Sequence, residues 1–194
     1  ALAAKLEHNG IITQVSKFKL LAVLRGVDKQ LKAGEYPLSA AMTPIEVLDV
    51  LVSGKSYLYR FTIPEGFTLH QIAEEVAANE LGQSNEFITL ATSPEYVATL
   101  NIEADTLEGY LFPDTYYFPK SVSEDTIIRK MVARFNEQFL AEWHQRAREL
   151  HRSVHEIVTL ASIIEKETGA PFERPIIASV FHNRLDKKMR LESD

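Results

Sequence analysis

The chain has 194 residues, of which 45% are hydrophobic and 25% are charged, so it can bury one substantial core or two modest ones. Its formal net charge is −6 and its basic residues form no long run, which argues against a nucleic-acid partner. Cysteine is absent, which excludes disulfides, thiol catalysis and cysteine-ligated metals. No apolar run reaches the roughly 18 to 20 residues of a membrane span. We expect two compact units.

Two similar helix starts come first along the chain. The segments M-T-P-I-E-V-L-D-V-L (42–51) and F-T-L-H-Q-I-A-E-E-V (67–76) each place a threonine ahead of Glu46 or Gln71 in the capping-box pattern. Each helix follows an extended stretch, L-K-A-G-E-Y-P-L (31–38) or Y-L-Y-R-F-T-I-P-E-G (57–66), whose composition predicts a strand. The pattern fits either two ordinary strand-helix pieces or a small α/β carbohydrate-binding module.

Further helices are predicted in the middle of the chain. Short capped pieces are expected between residues 81 and 102. From Ser123 the sequence predicts a long amphipathic helix, with Glu124 and Asp125 in its first turn, where the helix dipole favours anions. Its apolar stripe is typical of a core face and comprises Ile127, Ile128, Met131, Phe135, Phe139 and Trp143.

An aromatic stretch with two prolines, T-L-E-G-Y-L-F-P-D-T-Y-Y-F-P-K (106–120), precedes that helix and predicts a rigid loop. The rings of Tyr110, Phe112 and Tyr116 have flat apolar faces with polar edges, so they could wall a sugar groove or pack in the core. The carboxylates of Glu108 and Asp114 could hydrogen-bond a substrate, position a catalytic group or cap the following backbone.

A helix of about 15 residues is predicted between the capping box that starts at Ser153 and Gly169, which suits a left-handed C-terminal position. Its end, S-I-I-E-K-E-T-G (162–169), carries two acids, Glu165 and Glu167. At 100° per residue, Glu167 is rotated from Glu165 by about 200°.

The two acids therefore lie on opposite sides of the predicted helix. Val154, Val158 and Ala161 fall within about 40° of Glu165, and this places Glu165 on an apolar, buried stripe. Glu167 lies on the side that carries much of the polar surface, which is typical of a solvated acid.

An acid on an apolar face either pairs with a base or keeps its proton, because loss of water disfavours the charged form. A protonated Glu165 can act as a general acid on a glycosidic oxygen, whereas a Glu165 paired with Arg174 or Arg184 would be structural. Retaining and inverting hydrolases use a second carboxylate, for which the chain offers Glu108, Asp114 and Asp194. One acid suffices if the sugar's own 6-hydroxyl closes onto the anomeric carbon, which gives a 1,6-anhydro sugar.

The segment F-H-N-R-L (181–185) supplies two side chains with several donors. Asn183 and Arg184 could orient an acetamido group or hold Glu165, or lie on an ordinary helix surface. His151 and His155 lack the downstream acid motif of a metal site, so neither a metal nor another cofactor is expected.

Four segments, in this order, resemble the MltG (YceG-like) endolytic murein transglycosylases. They are L-E-G-Y-L-F-P-D-T-Y (107–116), A-S-I-I-E-K-E-T (161–168), E-R-P-I-I-A-S-V-F-H-N-R-L (173–185) and M-R-L-E-S-D (189–194). The L-K-A-G-E-Y and F-T-I-P-E-G-F-T-L-H-Q-I-A segments resemble that family's N-terminal LysM-like region, so the resemblance runs over most of the chain.

The resemblance implies cleavage of nascent peptidoglycan glycan strands between N-acetylmuramic acid and N-acetylglucosamine by a single glutamate, which matches Glu165. It also implies one N-terminal anchor helix in the cytoplasmic membrane, a catalytic part on the extracytoplasmic (periplasmic) side, and work beside peptidoglycan synthases. Family members have an anchor before the region shown and more catalytic domain after it, so we expect a crop at both ends. A water-using muramidase and a non-catalytic peptidoglycan-binding scaffold remain the alternatives.

The expected fold is therefore α+β. A LysM-like α/β region with two strand-helix units is expected over residues 1–105. The start of a mostly helical, lysozyme-like catalytic region, truncated at its C-terminus, is expected over residues 106–194.

Overall fold

The computed structural model describes residues 2–192, and the two strands it contains there form one small sheet among many helices. The helices are α1 (Leu2–His8), α2 (Val15–Leu24), α3 (Pro44–Ser53), α4 (Leu69–Ala78), α5 (Ser84–Ala91), α6 (Pro94–Ala98), α7 (Glu124–Gln138), α8 (Ala141–Glu149), α9 (Val154–Glu167) and α10 (Arg174–Asp186). The strands are β1 (Tyr59–Thr62) and β2 (Thr115–Phe118). This mixture confirms the α+β class. No helix of the described chain is both long and apolar enough to cross a membrane.

The chain divides into two compact units, residues 1–60 with 117–121, and residues 61–116 with 122–194. The boundary expected after residue 105 falls inside the second of these units. The LysM-like nature of residues 1–105 stays a prediction.

In the first unit, the inner faces of α1, α2 and α3 form one apolar core. Helix α3 starts as predicted, because the Thr43 hydroxyl accepts from the Glu46 N–H and the Glu46 carboxylate accepts from the Thr43 N–H. The buried residues are Ala3, Leu6, Ile12, Phe18, Ala22, Val47, Leu48 and Leu51.

The strand predicted over residues 31–38 is wrong, since this segment forms no strand. Its backbone makes separate bonds instead, such as Lys32 N–H to the Leu51 carbonyl at 3.2 Å. Pro37 has no N–H to give to a ladder and Gly34 weakens an extended segment, which explains the loss of regular pairing.

In the second unit, α5 packs against α4, α6 and α7 around a well-buried core. The predicted capping box of α4 is confirmed at Thr68 and Gln71. The short helices expected between residues 81 and 102 are α5 and α6, but a side-chain cap is present only at the start of α6, on Ser93. Core members that are at most 1% exposed include Val76, Leu81, Phe87, Leu107, Ile127, Ile128 and Met131.

The long helix predicted from Ser123 is confirmed only as far as Gln138. The backbone leaves helical geometry at Phe139 and Leu140, and a separate helix, α8, starts at Ala141. Phe139 stays buried beside Phe135, but Trp143 is 50% exposed, so its predicted place in the core stripe is wrong.

Candidate functional site

Helix α9 carries both candidate acids and begins at the predicted capping box. The Ser153 hydroxyl accepts from the Glu156 N–H at 3.1 Å, and the Glu156 carboxylate accepts from the Ser153 N–H at 2.8 Å. These bonds hold the pKa of Glu156 below its usual value, with the bond from the Ser153 N–H as the largest cause. The helix ends at Glu167 with an extended Thr168, and Gly169 does not adopt the predicted left-handed conformation.

The side of α9 that bears Glu165 packs against the aromatic loop at one end and is open at the other. Val158 lies so close to Gly109 that a Cβ added there would be 2.8 Å from Cγ1 of Val158. Glu165 itself is exposed, so the prediction that it lies on a buried stripe is wrong. The buried residue of α9 is Leu160, about 140° around the helix from Glu165.

The open end of this face lies beside the turn that joins β1 to α4, P-E-G-F-T (64–68). A Cβ added to Gly66 would lie 3.9 Å from Oε1 of Glu165. The Lys166 ammonium donates to the Gly66 carbonyl at 3.5 Å. Glu165 makes no ion pair with another described residue, and Arg184 does not hold it. The structural pairing of Glu165 with Arg174 or Arg184, which the sequence left open, is therefore not seen among the described residues, and Glu165 is exposed instead.

Glu108 lies at the other side of the same turn. Its carboxylate accepts from the Leu69 N–H, at 3.1 and 3.3 Å for the two oxygens, and so caps the first turn of α4. The structure therefore brings Glu108, the turn and Glu165 together, but it gives the Glu108 carboxylate a backbone partner.

Tyr110 packs in the core and does not line an exposed sugar groove. It is 2% exposed, and its hydroxyl lies 3.1 Å from Nδ1 of His155 on α9, with the two rings nearly parallel. Burial, followed by the charge of Glu103, raises the pKa of Tyr110. Its ring face is not available to a sugar, and its role is to hold the loop against α9.

Phe112, Asp114 and Tyr116 form a separate cluster around Arg134. Asp114 accepts from the Thr115 N–H and forms an ion pair with Arg134 at 2.7 Å, and these contacts hold the pKa of Asp114 below its usual value. The Arg134 guanidinium lies 5.9 Å from the centre of the Phe112 ring.

Tyr116 in this cluster is 4% exposed, and it donates to the Phe112 carbonyl at 2.6 Å. Burial, as the largest cause, raises the pKa of Tyr116. These contacts tie β2 to the loop that precedes it, and the buried Tyr116 ring offers no face to a ligand.

Asn183 and Arg184 lie on α10. Asn183 is exposed, while Arg184 donates to the Leu191 carbonyl and lies 3.6 Å from the Glu192 carboxylate. A cavity of about 280 Å³ lies between α9 and α10, and its lining includes Leu160, Ile163 and Leu185. Leu160 and Ile163 point away from Glu165 by about 140° and about 160°, so this cavity lies on the other side of α9. Asp194 and Ser193 lie outside the described residues.

The sequence did not predict the contacts that Gly66 and Lys166 make at the Glu165 end of α9, or the contact of His155 with Tyr110. The glycine after Pro-Glu at a strand-helix junction is a turn signal, and its φ of +77° fits the glycine preference there. Glu165 lies about 100 residues further along the chain, so no local sequence pattern could predict that Gly66 lies beside it.

Comparisons with known proteins point to one family. The model of the YceG-like family matches residues 1–194. The endolytic murein transglycosylase of Bacillus subtilis (strain 168) is 33% identical over 211 residues, which cover 100% of this chain and 58% of that protein. The protein of the same name from Streptococcus pneumoniae serotype 2 (strain D39) is 30% identical over 220 residues, covering 100% and 39%.

A solved structure agrees with these matches. The crystal structure of a YceG-like protein from Listeria monocytogenes aligns with a TM-score of 0.62 and 34% identity, covering 100% of this chain and 68% of that one. The chain thus spans 58% and 39% of the two curated relatives. On the match over its whole length, the chain belongs to the YceG-like family.

Proposed function

We propose that this chain is part of a lytic transglycosylase that cleaves the glycan strands of peptidoglycan, with Glu165 as its single acid and base. The observation that carries the proposal is the placement of Glu165, which is exposed beside an open turn and makes no ion pair with another described residue. The family match, with relatives named endolytic murein transglycosylase, supports the same substrate.

The proposed reaction uses one carboxyl group twice, first as an acid and then as a base. The Glu165 carboxyl group gives its proton to the oxygen that joins N-acetylmuramic acid to N-acetylglucosamine, and the bond from that oxygen to the anomeric carbon breaks. The resulting carboxylate then removes the proton from the 6-hydroxyl of the muramic acid. The 6-oxygen bonds to the anomeric carbon, and this closes a 1,6-anhydro ring. Water is not consumed, and Glu165 ends protonated by the proton from the 6-hydroxyl.

The positions of the other acids favour this route over a water-using muramidase. Glu108 accepts from the Leu69 N–H, and Asp114 accepts from the Thr115 N–H and pairs with Arg134. A second catalytic carboxylate would need to be free to activate water or to attack the sugar. Both described candidates instead have structural partners, which supports a mechanism with one acid.

The location of the chain is a proposal of the same kind. We place the chain on the extracytoplasmic side of the cytoplasmic membrane, held there by an N-terminal anchor and beside peptidoglycan synthases, because the family resemblance implies this arrangement. Protease treatment of intact spheroplasts tests the side of the membrane, since digestion of this chain is expected only if it faces outward.

Product analysis tests the reaction itself. The natural full-length protein is incubated with purified glycan strands, and the new ends are identified by mass spectrometry. We expect 1,6-anhydro ends. New reducing ends would show that water is the nucleophile and that the muramidase reading is correct.

Two matched variants test the assignment of the acid. We expect Glu165→Gln to lower the rate of bond cleavage by about 100- to 10,000-fold, the usual contribution of a general acid or base. Glu167→Gln, two residues away on the same exposed helix end, is expected to have a smaller effect. Circular dichroism and melting curves check that both variants fold. Wild-type activity in Glu165→Gln would refute the assignment.

A further inference from the structure

The turn P-E-G-F-T (64–68) lies beside the exposed Glu165 carboxylate. The distance from a Cβ built at Gly66 to Oε1 of Glu165 is 3.9 Å, which is ordinary van der Waals contact. A larger side chain at this position would therefore reach the carboxylate. Gly66 is exposed, so the space in front of it is open to solvent.

The turn is held in place at both ends. On the β1 side, the Ile63 N–H donates to the Asp114 carbonyl at 3.0 Å. On the α4 side, the Leu69 N–H is bound by Glu108, and the Thr68 capping box fixes the start of the helix. Because both flanks are bonded, these contacts restrain the position of the turn that contains Gly66.

We propose that the turn 64–68 is one wall of the glycan site and that Gly66 is a specificity-determining residue, because its missing side chain leaves room for a sugar ring beside Glu165. The inference rests on the proposed function.

Two substitutions at Gly66 separate crowding from backbone strain. The φ of Gly66 is +77°, a conformation that asparagine tolerates better than alanine. Strain alone would therefore make Gly66→Ala the less stable and the less active variant. Crowding would instead make Gly66→Asn the less active variant, because its side chain is larger and can reach the Glu165 carboxylate.

Gly26 offers a matched control. Its φ is +65°, and a Cβ added there meets nothing within 4 Å. Gly26→Ala and Gly26→Asn carry a similar change of backbone preference without crowding any neighbour, and they are expected to leave cleavage unchanged.

The experiment measures kcat and KM of the natural full-length protein and these variants on purified glycan strands, with melting curves alongside. For Gly66→Asn we expect kcat/KM to fall by about ten-fold or more, because its side chain would occupy space that the bound sugar ring needs, with most of the change in KM. For Gly66→Ala we expect a smaller fall in kcat/KM but a larger loss of melting temperature.

The outcomes distinguish this inference from the proposed function. If the wild-type protein forms 1,6-anhydro ends and Gly66→Asn stays within about two-fold of it, a difference below the ten-fold expected for crowding, Gly66 does not border the bound strand and only the inference fails. The inference would also be overturned if Gly66→Ala were both less stable and less active than Gly66→Asn, because backbone strain alone would then explain the loss of activity. A wild-type protein that forms no 1,6-anhydro ends would overturn both.

Discussion

Replacing Gly109 by alanine should destabilise the contact that seats α9, the helix of Glu165, on the aromatic loop. The φ of Gly109 is +84°, and left-handed backbone costs an ordinary residue about 1–2 kcal/mol. The added Cβ would also lie 2.8 Å from Cγ1 of Val158, well inside the optimal carbon separation of about 3.5–4.0 Å. Such overpacking typically costs about 1–3 kcal/mol, so the expected total is about 2–5 kcal/mol.

Urea unfolding followed by circular dichroism measures this loss. Gly26→Ala serves as the control, because it has a similar positive φ with nothing within 4 Å, and it should cost only the backbone part, about 1–2 kcal/mol. Adding Val158→Ala to Gly109→Ala should relieve the crowding. The double variant should therefore lose about 1–3 kcal/mol less unfolding free energy than the sum of the two single losses. A loss no larger than that of Gly26→Ala, or strictly additive effects in the double variant, would refute the packing explanation.

Two further predictions concern a helix cap and a surface ion pair. Ser153→Ala should lower the free energy of unfolding by about 1 kcal/mol, because the Glu156 N–H loses its acceptor. Ser162→Ala on the same helix should change it little, and equal losses in urea unfolding would contradict the cap. For Asp114, whose pKa is lowered in the folded state, the stabilisation is present above the unfolded pKa and is lost as pH falls through the folded pKa. Asp114→Asn should therefore be less stable than wild type at pH 7, and the gap should close in acid, below about pH 4. A gap that is independent of pH would exclude the charge as its cause.

The helix starts were predictable because their signals are local. Thr43, Thr68 and Ser153 each bond the backbone three residues ahead, so a short stretch of sequence contains both partners. The strand expected at 31–38 does not form, for a different reason. A strand needs a partner elsewhere in the chain, and Pro37 and Gly34 disfavour regular pairing with one.

The burial of single residues was less predictable. Helical periodicity shows which side chains share a face, but it does not show what covers that face. Val158 and Glu165 do share a face of α9, yet only the Val158 end meets the loop at Gly109. In the same way, Trp143 had the spacing of a core residue until the break at Phe139 and Leu140 turned it toward solvent.

Shielding from bulk water strengthens the electrostatic interactions of a general acid while the glycosidic bond breaks. The described residues leave the Glu165 side chain exposed, so they do not supply that shielding by themselves. On the proposal for Gly66, a glycan strand that lies across the turn would cover the carboxyl group from that side, and binding of the substrate would complete the site. The open side of Glu165 is then the place that the strand fills. Glycine at position 66 fits this role because any side chain there would occupy the same space.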